Sequence, residues 1–146
     1  MDMKNKLVIM LIIATILLSG CAQKNTAETQ SADAKVMDET IYIGEYLDYD
    51  CNEPNLEIAK GTDGKYIVQI GIFRLTTLDD GVGELTPDGL PFTATDAAGN
   101  PISGIITVEN EIATVTFTDS TWDLLENGSI FKYSKSSDVP NIWDVY

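Results

Sequence analysis

The sequence predicts an all-β protein: a single small antiparallel up-and-down β-barrel of about eight strands, with a two-sheet β-sandwich as the alternative. Three observations carry this reading. From Ile41 onward, short runs alternate apolar and polar residues. Asp-Gly and Asn-Gly pairs interrupt them, as in Asp80-Gly81, Asp88-Gly89 and Asn127-Gly128, and supply the positive φ that tight hairpins need. Helical periodicity does not separate one run from the next, which argues against βαβ units.

Strands are expected near Ile41–Leu47, Asn55–Lys60, Lys65–Thr77, Val82–Thr86, Leu90–Thr95, Ile102–Glu109, Glu111–Thr118 and Ser129–Lys135. In the seventh, Ala113, Val115 and Phe117 share one face and Thr114, Thr116 and Thr118 the other, the pattern of a half-buried antiparallel strand. The long third strand puts Tyr66, Val68, Ile70 and Ile72 on one face, with Gly71 as a bulge or bend. Phe131 and Tyr133 oppose Lys132 and Ser134 in the last. Gly61-Thr62-Asp63-Gly64, Asp79-Asp80-Gly81, Pro87-Asp88-Gly89, Ala98-Gly99-Asn100-Pro101 and Glu109-Asn110-Glu111 are expected turns. Ser120-Thr121-Trp122-Asp123 has the shape of a capping box, so one helical turn is expected between the last two strands. The tail Asn141–Tyr146 is apolar enough to pack back on the domain.

Composition excludes several functions. The chain of 146 residues has 23 acidic residues against 9 basic ones, a charge of −14, and no histidine. Histidine-dependent triads and His-ligated zinc are therefore impossible. A strongly acidic chain is unsuited to neutralising phosphates, so no nucleic-acid partner is expected. No cofactor, no metal and no catalysis are expected. Asp119, Asp123 and Glu126 are the residues from which a carboxylate pair for glycoside hydrolysis would have to come, but a domain of this size has little room for a sugar cleft. Asp48-Tyr49-Asp50-Cys51-Asn52 starts like a calcium loop, yet Glu53 stands at the glycine position and Ala59 at that of the bidentate glutamate.

Residues 1–20 form the most informative stretch. Lys4 and Lys6 precede Leu7–Leu18, which carries no charge and would span about 18 Å as a helix, too short for the membrane core. This is a secretory signal pattern. The run ends in Leu18-Ser19-Gly20-Cys21, which resembles the lipobox of bacterial lipoproteins. The resemblance implies lipidation of Cys21, cleavage before it, and a mature protein held on a membrane of the bacterial cell envelope and facing outside the cytoplasm. Loss of residues 1–20 removes Asp2, Lys4 and Lys6, which makes the mature chain one unit more negative than the precursor. Residues 21–40 are polar and small, so a flexible tether is expected between Cys21 and a barrel domain at 41–146. Cys51 is then unpaired and is expected to be buried or half-buried.

Gly44-Glu45-Tyr46, with Lys132 and Lys135 in the last strand, resembles the lipocalin arrangement of a Gly-x-aromatic motif crossed by a basic residue from the final strand. The lipocalin pattern has Trp and Arg where this chain has Tyr46 and Lys. Two modes of binding are expected. In the first, a small apolar or amphipathic ligand sits inside the barrel against Tyr66, Val68, Ile70, Val115, Phe117 and Phe131, with Arg74 at the mouth. In the second, the acidic exterior binds a cationic protein such as a lysozyme, since the overall design is similar to that of small lipidated β-barrel proteins that inhibit lysozymes. A structural envelope protein is the third reading.

Overall fold

A computed structural model describes residues 38–48 and 54–142. Its strands are β1 (Gly44–Asp48), β2 (Pro54–Lys60), β3 (Tyr66–Ile72), β4 (Thr76–Gly83), β5 (Leu90–Thr95), β6 (Pro101–Glu109), β7 (Ile112–Asp119) and β8 (Ile130–Ser137). Each pairs antiparallel with the next, and β8 returns to β1, so the sheet closes in the order β1 to β8. Closure removes the edge that an open sheet would present to other chains. The barrel, not the sandwich, is the fold. Among the described residues no helix is long and apolar enough to cross a membrane.

Alternation turns one side of each strand inward. Val115, Phe117 and Ala113 of β7 are buried, and Tyr66, Val68, Ile70 and Ile72 of β3 join them. Phe117 stacks edge-on between Phe92 and Phe131, at centroid distances of 5.9 and 6.0 Å. Gly104 makes room for this trio: a Cβ there would come within 2.7 Å of the Phe92 ring and 2.6 Å of the Thr116 carbonyl oxygen. Two tyrosines carry hydrogen bonds through the apolar interior. The Tyr133 hydroxyl donates across the barrel to the Gly71 carbonyl at 3.1 Å, and the Tyr46 hydroxyl is shared between the carbonyls of Ile41 and Tyr42.

The first, third and fourth strands depart from expectation. Glu39–Ile41 is a 3₁₀ turn whose first amides are capped by Asp38, so β1 begins only at Gly44. The run Lys65–Thr77 is not one strand. It folds back at Phe73-Arg74-Leu75, where Arg74 takes φ +58° and the Leu75 amide donates to the Ile72 carbonyl. β4 accordingly starts at Thr76, and Asp79-Asp80-Gly81 is not a turn but a bulge inside it. Val68 pairs with Gly81 and Ile70 with Leu78, so Gln69 alone faces Asp79 and Asp80. A side chain at position 81 would run into the Val68 carbonyl, which is why glycine sits there. Gly71 pairs regularly with Thr77 and marks no bulge.

The expected helical turn after β7 is replaced by two tight turns, closed by Leu125 N–H to Trp122 O and Ser129 N–H to Glu126 O. The Ser120 hydroxyl accepts from the Trp122 amide, only two residues on, which favours a turn over a helix. Asp38, the β2–β3, β4–β5 and β6–β7 connections and the chain after β8 lie at one end of the barrel, the entry end. The β3–β4, β5–β6 and β7–β8 connections lie at the other, the far end.

Candidate functional site

The interior residues that the sequence nominates are gathered as expected on one side of the wall, but side chains occupy the space between them. Val68, Ile70, Val115 and Phe117 have no exposed surface and Tyr66 almost none. Phe131 is partly buried against the same core. Leu125 from the β7–β8 connection and Tyr42 from beside the 3₁₀ turn are also core members, so residues outside the strands pack in from the far and the entry end respectively. The clefts that open on the described surface are lined by other residues, apart from Tyr66 in one and Arg74 in another.

Arg74 does not share the inward face of β3. It stands exposed in the β3–β4 turn at the far end, its guanidinium 4.9 Å from the Phe73 ring centre. None of the described carboxylates pairs with it. At the entry end, the Tyr66 hydroxyl is buried without a hydrogen-bond partner, and burial raises its pKa. Lys60 lies over the Tyr66 ring at 5.7 Å and pairs with Glu39.

Of the two lysines nominated in the last strand, Lys135 lies opposite Tyr46 in the β1–β8 register, its ammonium 5.9 Å from that ring, and it pairs with Asp138 at 2.8 Å. Lys132 is exposed. The expected signal segment, Cys21 and the tether up to residue 37, Cys51 and Trp143 lie outside the described residues, as do residues 49–53 of the calcium-like loop, while residues 38–40 of the expected tether belong to the capped 3₁₀ turn.

Both ends are acidic: the entry end carries exposed Asp63, Asp88, Glu109 and Glu111 besides its ion pairs, and the far end carries exposed Arg74 besides its carboxylates. Lys60, Lys65 and Lys135 at the entry end each pair with a carboxylate: Glu39, Glu84 and Asp138. At the far end Asp119, Asp123 and Glu126 are exposed, and none of the described cations pairs with them. Leu124, which follows Asp123 in the same connection, is 66% exposed. The β7–β8 loop that carries them is well held. Leu125 is sunk in the core, the Gly128 amide donates to the Phe117 carbonyl, and the Asn127 side chain accepts from the Ser120 amide. An apolar tip among uncompensated carboxylates, on a fixed loop, suits a partner surface that is both cationic and partly apolar.

A cleft of about 600 Å³ lies at the entry end between Ile41, Ile43 and Val108, with Thr40, Asn110, Glu111, Lys135 and Asp138 around it. Among the described residues no cluster of three or more potential metal ligands occurs. No family model, no curated protein and no solved structure matches the chain.

Among the described residues Glu57, Gln69 and Asp96 are buried polar side chains, and none of these burials is read from the sequence. Asp96 holds the β5–β6 connection by accepting from the amides of Ala98 and Asn100, each at 2.8 Å. These bonds, that of Asn100 first, hold its carboxyl below the usual aspartate range. The signal was present in Asp96-Ala97-Ala98-Gly99-Asn100, a turn-forming composition. Glu57 of β2 has no exposed surface, one oxygen accepting from the Asn141 amide and the other without a partner. Its position between Leu56 and Ile58 reads as a solvent-facing site, so nothing local signals the burial.

Proposed function

We propose that the protein is an extracytoplasmic lipoprotein, anchored through Cys21 to a membrane of the bacterial cell envelope, that binds a cationic protein through its acidic exterior. The observation that supports this reading over a ligand held inside the barrel is the packing of the interior, where the very side chains expected to touch a ligand touch one another. A filled eight-stranded barrel leaves recognition to its outer surface. The β7–β8 loop, with Leu124, Asp119, Asp123 and Glu126, is the contact we assign to the partner. Asp38, where the described chain begins, lies at the opposite end of the barrel from that loop.

The test uses the full chain purified in detergent, with lysozyme as the cationic probe. Association measured by interferometry is expected to slow as salt rises. The triple change Asp119→Asn, Asp123→Asn, Glu126→Gln should cut the on-rate by about tenfold at low salt. Binding indifferent to salt and to this variant sinks surface recognition by this loop. The anchoring part has its own test: Cys21→Ala should abolish lipid labelling and leave the chain at precursor mass.

A further inference from the structure

We infer that residues 138–142, after β8, are a strap whose attachment to the β1–β2 wall is controlled by protonation of Glu57: it holds when the carboxyl is neutral and loosens when it ionises. The inference stands apart from partner recognition and rests on geometry. Glu57 lies on the outward side of β2, since its neighbours Leu56 and Ile58 face the core. An outward glutamate should be solvated, yet this one has no exposed surface. Its Oε2 accepts the Asn141 amide at 2.8 Å, 84 positions along the chain, and its Oε1 has no partner.

The groups around it disfavour charge. Directly opposite on β1 stands Glu45, and like charges at opposed positions repel. Glu45 itself accepts the Ser136 hydroxyl of β8 at 2.8 Å. The opposite neighbour on β3 is the neutral Gln69, and none of the described cations pairs with Glu57. Burial, the largest influence, and Glu45 both raise the Glu57 pKa, while only the Asn141 amide lowers it.

The attached strap therefore prefers the protonated carboxyl. A raised pKa in the attached state means that attachment is favoured fully below the ordinary glutamate range and weakens as pH rises through the Glu57 value. Release would rehydrate Glu57 and bare a Glu45–Glu57 pair on the wall.

The experiment follows the Asn141 amide of the isotopically labelled full chain in detergent micelles by NMR, from about pH 4 to pH 8. The Asn141 amide shift and the Glu57 carboxyl carbon should titrate together, above the ordinary glutamate range. Protection of the Asn141 amide, corrected for intrinsic exchange, should fall by up to about tenfold per pH unit between the ordinary glutamate range and that midpoint and level off above it, while Val115 stays protected. Glu57→Gln should keep Asn141 protected across the whole range. Glu45→Gln should move the midpoint down, which keeps the test open should Glu57→Gln misfold. Protection that is flat or rises with pH in the unmodified chain overturns the inference, as does Glu57 titrating in the ordinary range.

Discussion

At the scale of single residues, the barrel is most sensitive where one atom fills a space already allotted. Gly104 sits against the Phe92 ring and the Thr116 carbonyl with no room for a methyl group. Gly104→Ala should therefore cost about 2 kcal/mol by overpacking, and the double variant Gly104→Ala, Phe92→Leu should regain part of it. Urea unfolding followed by circular dichroism, with an unchanged slope, checks both. Tyr133→Phe removes the hydroxyl that donates across the interior to the Gly71 carbonyl and should cost about 1 kcal/mol by the same measurement. Asp96 contributes to the acid limb of stability. With its carboxyl held low by amide donors, its contribution is present above the ordinary aspartate range and lost as pH falls through its lowered value. Asp96→Ala should flatten that limb, and an unchanged acid profile would show that the connection is held by its backbone bonds alone.

At the scale of elements, the seams of the sheet are unequal. β4 and β5 share only the pairs Val82–Thr93 and Gly83–Phe92, whereas β6 and β7 pair along nearly their full length. On the other side of this ladder, before Val82, the Thr95 amide is held by the Asp80 side chain instead of a backbone carbonyl. Hydrogen exchange should be fastest among the strands at this seam, and Asp80→Ala should accelerate Thr95 without touching Ile106 or Val115. The same elements show what the sequence makes legible. Strands β5 to β8 follow from clean alternation, because each has one dry face and one wet one. The β3–β4 hairpin was illegible because Phe73-Arg74-Leu75 contains none of the residues that usually turn a chain, and the fold forces Arg74 to positive φ without them. Asp79-Asp80-Gly81 was misread because a bulge and a turn use the same chemistry. Of the candidate site, the inward side chains were placed correctly on their faces, since period two fixes that. Whether the space between them is empty depends on Leu125 and Tyr42, which come from segments with no period at all.

At the scale of the molecule, the charge of −14 acts on folding and on recognition in opposite directions. The compact barrel gathers carboxylates that the unfolded chain keeps apart, so self-repulsion opposes folding. Added salt should weaken that repulsion and raise the melting temperature, while the same salt weakens attraction to a cationic partner. The lack of histidine makes this clean: from about pH 6 to pH 8 the ordinary carboxylates and lysines keep their charge, so a salt series there is not mixed with a pH series. Calorimetry of the full chain at about 20 and 500 mM salt, lengths over which the Debye screening distance falls from beyond to well within the spacing of surface charges, reads the sign directly. A rise identifies repulsion among Asp119, Asp123, Glu126 and their neighbours as the dominant electrostatic influence on stability. A fall would mean that the pairs Lys60–Glu39, Lys65–Glu84 and Lys135–Asp138 at the entry end outweigh it, and the acidic exterior would then be an internally compensated surface and a poor attractor of cations.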